Sequence, residues 1–301
     1  MKILVSGASG LVGTKLTAAL TTAGYQVGRL VRQRSRAAGS DVVWNPAAGQ
    51  LEASALADCD AVINLAGESI ASGRWSAKKK DQIRQSRVNG TRTIATALAS
   101  IADRPRTLIN ASAIGYYGDR GDEILSEASS TGSGDFLSGV CRDWENATEP
   151  AAKAGVRVVL VRFGVILSSQ GGALKKMLLP FRLGLGGKIG SGRQYMSWVA
   201  IDDVVGATLF CLGSPALNGP VNVVAPQPVT NAEFTKTLGR ALGRPAIFPM
   251  PAVAARLAFG QMADELLLGS QRVEPTKLLK SGYKFKYPNL EPALVHVLGR
   301  G

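Results

Sequence analysis

A glycine-rich turn near the start of the chain limits the possible folds more than any other part of the sequence. The letters GASGLVG occupy residues 7–13, directly after a strand-like run, Lys2 to Val5, and directly before a helix-like segment, Leu11 to Ala23. Glycines permit a tight turn and let the backbone approach a pyrophosphate, which then lies where free N–H groups and the helix dipole favour an anion. This strand–turn–helix context predicts a dinucleotide-binding site rather than an ordinary turn.

Short apolar runs alternate with longer helix-like segments through the first two-thirds of the chain. Further strands are predicted at Gln26 to Val31, Asp60 to Leu65, Thr107 to Ser112 and Val156 to Phe163, with helices at Val88 to Ile101 and Phe136 to Ala154. Parallel strands are covered on both faces, which is why they read as continuous apolar runs. The sequence therefore predicts the α/β class, a Rossmann-type doubly wound parallel sheet.

The pattern changes after Ser168, where glycine-rich connections interrupt the chain. From about Pro226 onwards the sequence predicts amphipathic helices, at Asn231 to Leu242 and Ala252 to Leu268. We therefore expect a Rossmann domain at residues 1–225, including a substrate loop at 168–200, and a smaller, mostly helical substrate or partner lobe at residues 226–301.

Charge is distributed unevenly along the 301 residues, which carry 35 basic and 22 acidic side chains. Residues 1–150 hold 17 basic and 15 acidic side chains, whereas residues 151–301 hold 18 and 7. A basic half favours an anionic ligand or partner, although solvated lysines and arginines without a ligand fit equally well. Nucleic acid is not expected, because the sequence has no helix-turn-helix and no stripe of interleaved aromatic and basic residues.

The sequence also argues against several other classes of protein. No apolar run approaches the roughly 18–20 residues that cross a bilayer, and no leader precedes the first strand, so we expect a cytoplasmic protein without a membrane partner. Three scattered cysteines and a single histidine, His296, argue against a disulfide framework, a metal site and histidine-based catalysis.

The end of the second predicted strand indicates which dinucleotide is bound. An NAD-specific protein places an acidic residue there for the ribose 2′-hydroxyl, but this chain continues Val31, Arg32, Gln33. An arginine can pair with a 2′-phosphate and stack on the adenine, so Arg32 predicts NADP, with Arg34 and Arg36 as weaker candidates. A solvated basic loop is the alternative.

A series of longer motifs then occurs in a characteristic order. They are NLAGE at 64–68, RW at 74–75, SRVNGT at 86–91, SAIGYYG at 112–118, CRDWE at 141–145, VRFGVIL at 161–167, LPFRLGLGGKIGSG at 179–192, WVAIDDV at 198–204 and GSQRV at 269–273. This order resembles the atypical extended short-chain dehydrogenase/reductases of the NAD-dependent epimerase/dehydratase-like family. Some of these sugar-nucleotide epimerase-like proteins are labelled as cell-division inhibitors or have a role in plastid division. The resemblance covers essentially the whole chain, including a small helical C-terminal domain.

The resemblance implies a set of NADP contacts. Arg87 and Gln82 would approach the cofactor, Leu65 and Ala66 would line the adenosine side, and Val165 the nicotinamide side. Arg87 could instead pair with a surface carboxylate. The complete set of candidates is Gly7, Ser9, Gly10, Leu11, Val12, Val31, Arg32, Leu65, Ala66, Gly67, Gln82, Arg87 and Val165.

Catalysis is less well defined, because the Tyr-x-x-x-Lys pair of active reductases is missing. An alignment through Glu145 puts Leu137 at the tyrosine position and Cys141 at the lysine position. Ser112 matches the serine that would polarise a carbonyl, and Tyr116 is the candidate proton donor. The alternative is that Tyr116 and its neighbour anchor the loop or line the pocket. Cys141 is expected to be buried and unreactive.

The later motifs suggest where a substrate would bind. Lys188, Arg193 and Trp198 follow the glycine-rich loop and are expected to contact an anionic substrate or to form a lid over the cofactor. Asp202 and Asp203 are expected to cap the following helix, Val204 to Leu212, through its first-turn N–H groups. The resembling proteins usually have a histidine at the position of Ala200.

Together these features predict an NADP(H)-binding oxidoreductase or epimerase-like protein. It would transfer a hydride to or from an anionic carbonyl or sugar-nucleotide substrate, with Ser112 and Tyr116 as the catalytic candidates and no metal. The alternative is a non-catalytic, NADP(H)-dependent regulator or protein-interaction module, in cell or plastid division, which the missing Tyr-x-x-x-Lys pair favours.

Overall fold

A computed structural model describes residues 1–33, 37, 39–101 and 106–300. Within them the strands are β1 (Lys2–Ser6), β2 (Gln26–Val31), β3 (Val42–Val43), β4 (Ala61–Asn64), β5 (Thr107–Ala113), β6 (Ile124–Leu125), β7 (Arg157–Phe163), β8 (Val165–Leu167), β9 (Tyr195–Met196), β10 (Trp198–Ala200), β11 (Gly219–Val223), β12 (Val229–Thr230) and β13 (Arg272–Val273). The helices are α1 (Leu11–Thr22), α2 (Ala77–Ala99), α3 (Phe136–Asn146), α4 (Glu149–Lys153), α5 (Gly172–Arg182), α6 (Ile201–Gly213), α7 (Asn231–Leu242), α8 (Ala252–Phe259), α9 (Gln261–Ala263), α10 (Thr276–Lys280) and α11 (Leu290–Val297). Short 3₁₀ helices span Ala53–Leu56 and Ile114–Tyr117, and a π-helical turn spans Asp264–Leu268.

Seven strands form the central sheet in the order β11-β7-β5-β4-β1-β2-β3. Every neighbouring pair in it is parallel, and the register aligns Ser6 with Asn64 and Asn64 with Asn110. The strand order reverses between β1 and β4, and in doubly wound sheets ligands bind beyond the carboxyl ends of strands at such a point. The predicted fold class is confirmed.

Three of the predicted helices differ from the observed ones. Helix α2 begins well before Val88, because Ser76 caps it by accepting the N–H of Lys79, and its polar first turns carry little apolar signal. The predicted helix at 136–154 is two helices, α3 and α4, and the second has Pro150 in its first turn. The predicted helix at 252–268 is interrupted by Gly260, whose φ of 62° requires glycine-like freedom.

Two buried clusters organise the packing. The first joins strands of the central sheet to α1 and α6 and includes Leu278, with Tyr283 and Phe285 packed against it. The second joins the segment that follows β7 to the C-terminal helices, with Trp198 and Phe234 at its centre. Packing therefore crosses the boundary predicted at residues 225/226: segment 168–200 packs with the C-terminal helices, and the C-terminal segment returns to the sheet.

Asp203 shows how the C-terminal segment is held. Its carboxylate accepts the backbone N–H groups of Lys286 and Tyr287 at 2.7 and 2.9 Å and is buried. The residue preceding α6, Ala200, makes no side-chain cap. The prediction that Asp202 and Asp203 cap this helix is therefore wrong. Both lie inside α6, where Asp203 accepts from a segment more than 80 residues away and Asp202 contacts His296 at 3.2 Å.

Candidate functional site

The glycine turn connects β1 to α1 at the carboxyl edge of the sheet. Gly7 has a φ of +66°, and a Cβ there would lie 2.8 Å from the carbonyl carbon of Leu65. A Cβ at Gly13 would lie 2.2 Å from the carbonyl oxygen of Gly7, so neither position accepts a side chain. Gly10 precedes α1 without a side-chain cap, which leaves first-turn N–H groups directed at the turn. This turn fits a pyrophosphate group.

A cleft of about 1470 Å³ opens beside this turn. The predicted cofactor residues that line it are Gly7, Ser9, Gly10, Val31, Arg32, Leu65, Ala66, Gly67 and Gln82. Trp44, Asn45 and Asn89 also line the cleft, although the sequence analysis did not identify them. The only signal for the first two was a Val-Val-Trp-Asn-Pro run at 42–46, whose valines form the edge strand β3.

Arg32 lies exposed on the wall of the cleft just beyond β2. Glu68 lines the same cleft, and its carboxylate pairs with Lys79 at 2.6 Å. The hydrogen bond from Lys79 is the main reason that the pKa of Glu68 is below its ordinary value, and the charges of Arg87 and Arg32 lower it further. Arg34 and Arg36 lie outside the described residues.

Four predicted cofactor residues lie away from the cleft lining. Leu11 and Val12 pack against the first core, and Val165 begins β8, where it pairs with Trp198 of β10. The guanidinium of Arg87 donates to the backbone carbonyl oxygens of Glu68 and Ile83, both at 3.0 Å. Arg87 therefore supports the cleft-lining segment at residues 67–68 through the backbone, and its hydrogen bonds do not go to a surface carboxylate.

The environment of Arg87 is largely apolar. Its guanidinium lies 5.1 Å from the ring centre of Trp144, and a Cβ on Gly67 would lie 3.3 Å from its Cζ. Burial lowers the pKa of Arg87 from its ordinary value. The contact with Gly67 places this cation directly behind the cleft wall.

A row of buried polar side chains supports the cleft from beneath. Ser6 donates to Asn64 at 2.5 Å, and Asn64 donates to Asn110 at 2.7 Å and to Thr91 at 2.8 Å. Ser6 also accepts the N–H groups of the two residues after Asn64, at 3.1 and 3.2 Å. These bonds hold the NLA segment against the glycine turn. The row is not predictable from the sequence, because single polar residues at strand ends do not reveal their partners.

Ser112 belongs to a separate buried charge network. It is 2% exposed, and its hydroxyl donates to Glu145 at 2.6 Å. Glu145 in turn accepts two hydrogen bonds from Arg162, at 2.8 and 2.7 Å. A serine has one O–H to donate. The role predicted for Ser112 is therefore not compatible with this arrangement, since its proton is not available to polarise a carbonyl.

The same arginine organises the two tyrosines. Tyr117 is fully buried, donates to Asn222 at 2.7 Å and accepts from Arg162 at 2.9 Å. Burial also raises the pKa of Tyr117. Its buried ring and its two hydrogen bonds anchor the loop. The ring of Tyr116 is partly exposed and its centre lies 3.5 Å from the Arg162 guanidinium. A proton-donor role for Tyr116 remains a prediction.

The positions of the missing dyad carry buried residues that do not titrate near neutrality. Leu137 and Cys141 lie one turn apart on α3, and a Cβ on Gly115 would lie 3.4 Å from Leu137 and 3.7 Å from Cys141. Burial raises the pKa of Cys141 to about 12, so it is not a nucleophile. Throughout the described ranges, no three His, Cys, Asp or Glu side chains are grouped as metal ligands.

The predicted substrate loop is only partly available to a ligand. Lys188 and Arg193 are exposed, as a contact with an anion requires. Trp198 is fully buried in the second core, and its indole N–H donates to the carbonyl oxygen of Gln227 at 3.1 Å. The prediction that Trp198 contacts substrate is therefore wrong.

Comparison with known proteins places this site in a family. The family model described as the NAD dependent epimerase/dehydratase family matches residues 3–224. The chain belongs to this family. A second model, a domain of unknown function called DUF1731, matches residues 250–297. Family membership supports an NAD(P)-binding, epimerase-like function.

Individual relatives agree with this assignment. An epimerase family protein of Mycobacterium bovis is 47% identical over 99% of this chain and 98% of its own length. A crystal structure of human epimerase family protein SDR39U1 with NADPH is 36% identical, covers 99% of both chains and has a TM-score of 0.90. A Thermus thermophilus UDP-glucose 4-epimerase in complex with NAD is 17% identical with a TM-score of 0.73, which shows a shared fold.

Proposed function

We propose that this protein binds NADP(H) in preference to NAD(H) and transfers a hydride to or from an anionic carbonyl or sugar-nucleotide substrate. The single observation that carries the proposal is the cleft, which has the glycine turn at one end and Arg32 on its wall. The nicotinamide cofactor would supply the hydride chemistry. The human relative solved with NADPH supports the same cofactor.

The preference for NADP follows from charge at the end of β2. The two residues after Val31 are Arg32 and Gln33, and both line the cleft, so no carboxylate is present there to accept a ribose 2′-hydroxyl. A guanidinium at this position can form charge-assisted hydrogen bonds with a 2′-phosphate. Glu68 is already paired with Lys79, which leaves Arg32 available for a second anion.

Cofactor titration tests this preference. NADPH should bind more tightly than NADH, and Arg32→Ala should weaken NADPH binding by about tenfold to a hundredfold while leaving NADH unchanged, because a charge-assisted hydrogen bond contributes roughly 1.5–3 kcal/mol. Arg142→Ala is the matched control, since it removes an arginine that is 52% exposed on α3 and absent from the cleft lining. Equal affinities for the two cofactors, or an unchanged affinity in Arg32→Ala, would disprove the proposal.

The role of the protein around the cofactor is positional. The glycine turn and the first turn of α1 would hold the pyrophosphate, and the bonds from Ser6 to the NLA segment would keep the facing wall in place. Exposed Lys188 and Arg193 are the cations offered to an anionic substrate. We further propose a cytoplasmic location, where thiols such as those of the three buried, free cysteines stay reduced.

A second function has an observation in its favour. The hydroxyl of Ser112 is committed to Glu145, and the dyad positions hold Leu137 and Cys141, so the usual groups for proton transfer are absent from these places. We therefore keep a non-catalytic regulator, in which NADP(H) stabilises a surface for a protein partner, as the second candidate.

Turnover separates the two candidates. NADPH oxidation is followed by absorbance with a panel of anionic carbonyl compounds and sugar nucleotides, using wild type, Tyr116→Phe and Ser112→Ala. The hydride-transfer proposal expects substrate-dependent oxidation that falls at least tenfold in Tyr116→Phe. Ser112→Ala should lose stability rather than proton transfer. Tight NADPH binding without turnover on the panel would favour the regulator.

A further inference from the structure

Exposed apolar side chains concentrate on one part of the C-terminal half. Of the thirteen large hydrophobic residues exposed among the described residues, eight lie between residues 179 and 257. Six of these are 59–73% exposed and define what we call the apolar–basic face: Leu179, Leu183, Leu185, Ile247, Val253 and Leu257. Single exposed apolar residues are ordinary on a protein surface, but a concentration of this kind marks an interaction site.

Backbone hydrogen bonds connect the two stretches of chain that carry these residues. Phe248 donates its N–H to the carbonyl oxygen of Gly186 at 3.0 Å, and Met250 donates to that of Lys188 at 2.8 Å. These bonds hold the segment after α5 beside the segment that leads into α8. Leu179 lies near the end of α5 and Leu183 directly follows this helix, while Val253 and Leu257 are four residues apart on α8, so the members of each pair lie about one helical turn apart.

The two stretches of chain that carry these residues contain basic side chains and no acidic ones. No acidic residue occurs between Glu149 and Asp202 or between Glu233 and Asp264, and these two stretches contain all six apolar residues. Lys175, Arg182 and Arg244 are exposed beside them, and none forms an ion pair within the described residues. Arg256 is the exception, because it pairs with Asp264 at 2.8 Å.

We propose that the apolar–basic face docks onto the surface of an anionic lipid bilayer. Such a surface supplies both an apolar layer for the leucines and negative headgroups for the adjacent cations. A second copy of this chain fits less well, because two such faces would bring like charges together. This proposal replaces the sequence-based expectation of no membrane partner. It is independent of hydride transfer and of the NADP preference.

The face also adjoins the cofactor site. Lys176 on α5 donates to the backbone carbonyl of Ala71, and Arg74 donates to that of Leu257 at 3.2 Å. Ala71 and Arg74 belong to the loop that follows Glu68 in the cleft wall. A membrane bound to this face would therefore lie beside the loop that follows the cleft wall.

Vesicle co-sedimentation of the full chain tests the proposal. Wild type should sediment with phosphatidylcholine vesicles that contain phosphatidylglycerol and much less with vesicles of phosphatidylcholine alone. Lys175→Gln with Arg182→Gln should weaken partitioning by about 30-fold, since each basic residue at such a surface contributes roughly 1 kcal/mol. Leu183→Ser with Leu257→Ser should also abolish most of the binding, because the apolar contribution is lost.

Matched control variants show whether a loss of vesicle binding is specific to the apolar–basic face or follows from any loss of exposed apolar or basic side chains. Ile124→Ser with Leu279→Ser removes two apolar side chains that are 52% and 49% exposed elsewhere, and Lys280→Gln with Lys284→Gln removes the same charge from other exposed positions. All variants should keep the melting temperature of wild type, and the controls should sediment as wild type does. Equal binding to neutral vesicles, no binding to either kind, or equal losses in the controls would overturn the proposal. A dimer that Leu183→Ser with Leu257→Ser dissociates, without vesicle binding, would show that a second copy covers the face.

Discussion

The buried pair formed by Glu145 and Arg162 allows a quantitative test of the network around Ser112. Their side chains are 8% and 3% exposed, and Arg162 donates two hydrogen bonds to the carboxylate. Burial alone would lower the pKa of Arg162, but the hydrogen bonds and charge of Glu145 raise it above its ordinary value. The arginine is therefore fully charged at neutral pH and depends on this one carboxylate.

Replacement of Glu145 by glutamine keeps the volume but removes the negative charge. We expect Glu145→Gln to destabilise the protein by about 3–5 kcal/mol, because an uncompensated cation stays buried. Arg162→Met should lower the free energy of unfolding by a similar amount, because the buried carboxylate of Glu145 then keeps only Ser112 as a side-chain donor. The double variant Glu145→Gln with Arg162→Met removes both charges, so its loss of unfolding free energy should be smaller than the sum of the two single losses by about 3 kcal/mol.

Urea denaturation measures these free energies of unfolding, and NADPH titration reports whether each variant retains its cleft. Tyr117→Phe is the comparison variant, because it keeps the ring and removes one hydroxyl bonded to Arg162 and Asn222. Tyr117→Phe should lower the free energy of unfolding by only about 1–2 kcal/mol. The view that these two charges are coupled would be refuted if Glu145→Gln lowered the free energy of unfolding by less than about 1 kcal/mol. It would also be refuted if the effect of the double variant equalled the sum of the two single effects.

Other positions give simpler tests. Gly13→Ala should abolish NADPH binding or folding, because its Cβ would lie 2.2 Å from the carbonyl oxygen of Gly7, and calorimetry with NADPH measures this. Thr230→Ala should lower the free energy of unfolding by about 1 kcal/mol, since it removes a capping box. Native Cys141 should resist iodoacetamide at pH 8.5 and react after denaturation, because burial raises its pKa to about 12; rapid native labelling would contradict its burial. Since the unfolded thiol ionises near pH about 8.5 and the folded thiol at higher pH, this residue should make stability fall as pH rises above that value.

Parts of the fold were predictable because they depend on local pattern. Strand β2 occupies Gln26–Val31 and helix α7 occupies Asn231–Leu242, both as predicted, since an apolar run and a Thr-x-x-Glu cap are encoded by neighbouring residues. The polar first turns of α2 and the break between α3 and α4 were missed. Those features depend on a cap and on packing that periodicity does not report.

Some residues of the candidate site were predictable from the sequence and others were not. The glycine turn, Arg32 and the NLA segment meet at one cleft, because the carboxyl ends of parallel strands share one edge. Trp44 and Asn45 directly follow the edge strand β3 and were not predicted to line the cleft. The hydroxyl of Ser112 and the indole of Trp198 could not be assigned from the sequence, because a hydrogen-bond partner and a burial state depend on residues distant in the chain.

The sequence by itself determined the class of fold, the position of the dinucleotide turn and the absence of a Tyr-x-x-x-Lys pair, because each depends on patterns of residues that are close together in the chain. Only the tertiary structure decided that Ser112 donates its hydrogen bond to Glu145, that Asp203 holds the C-terminal segment, and that the segment after α5 lies beside the segment that leads into α8. These are contacts between segments from 33 to more than 80 residues apart. Their partners are chosen by how the helices pack on the sheet, which no local pattern specifies.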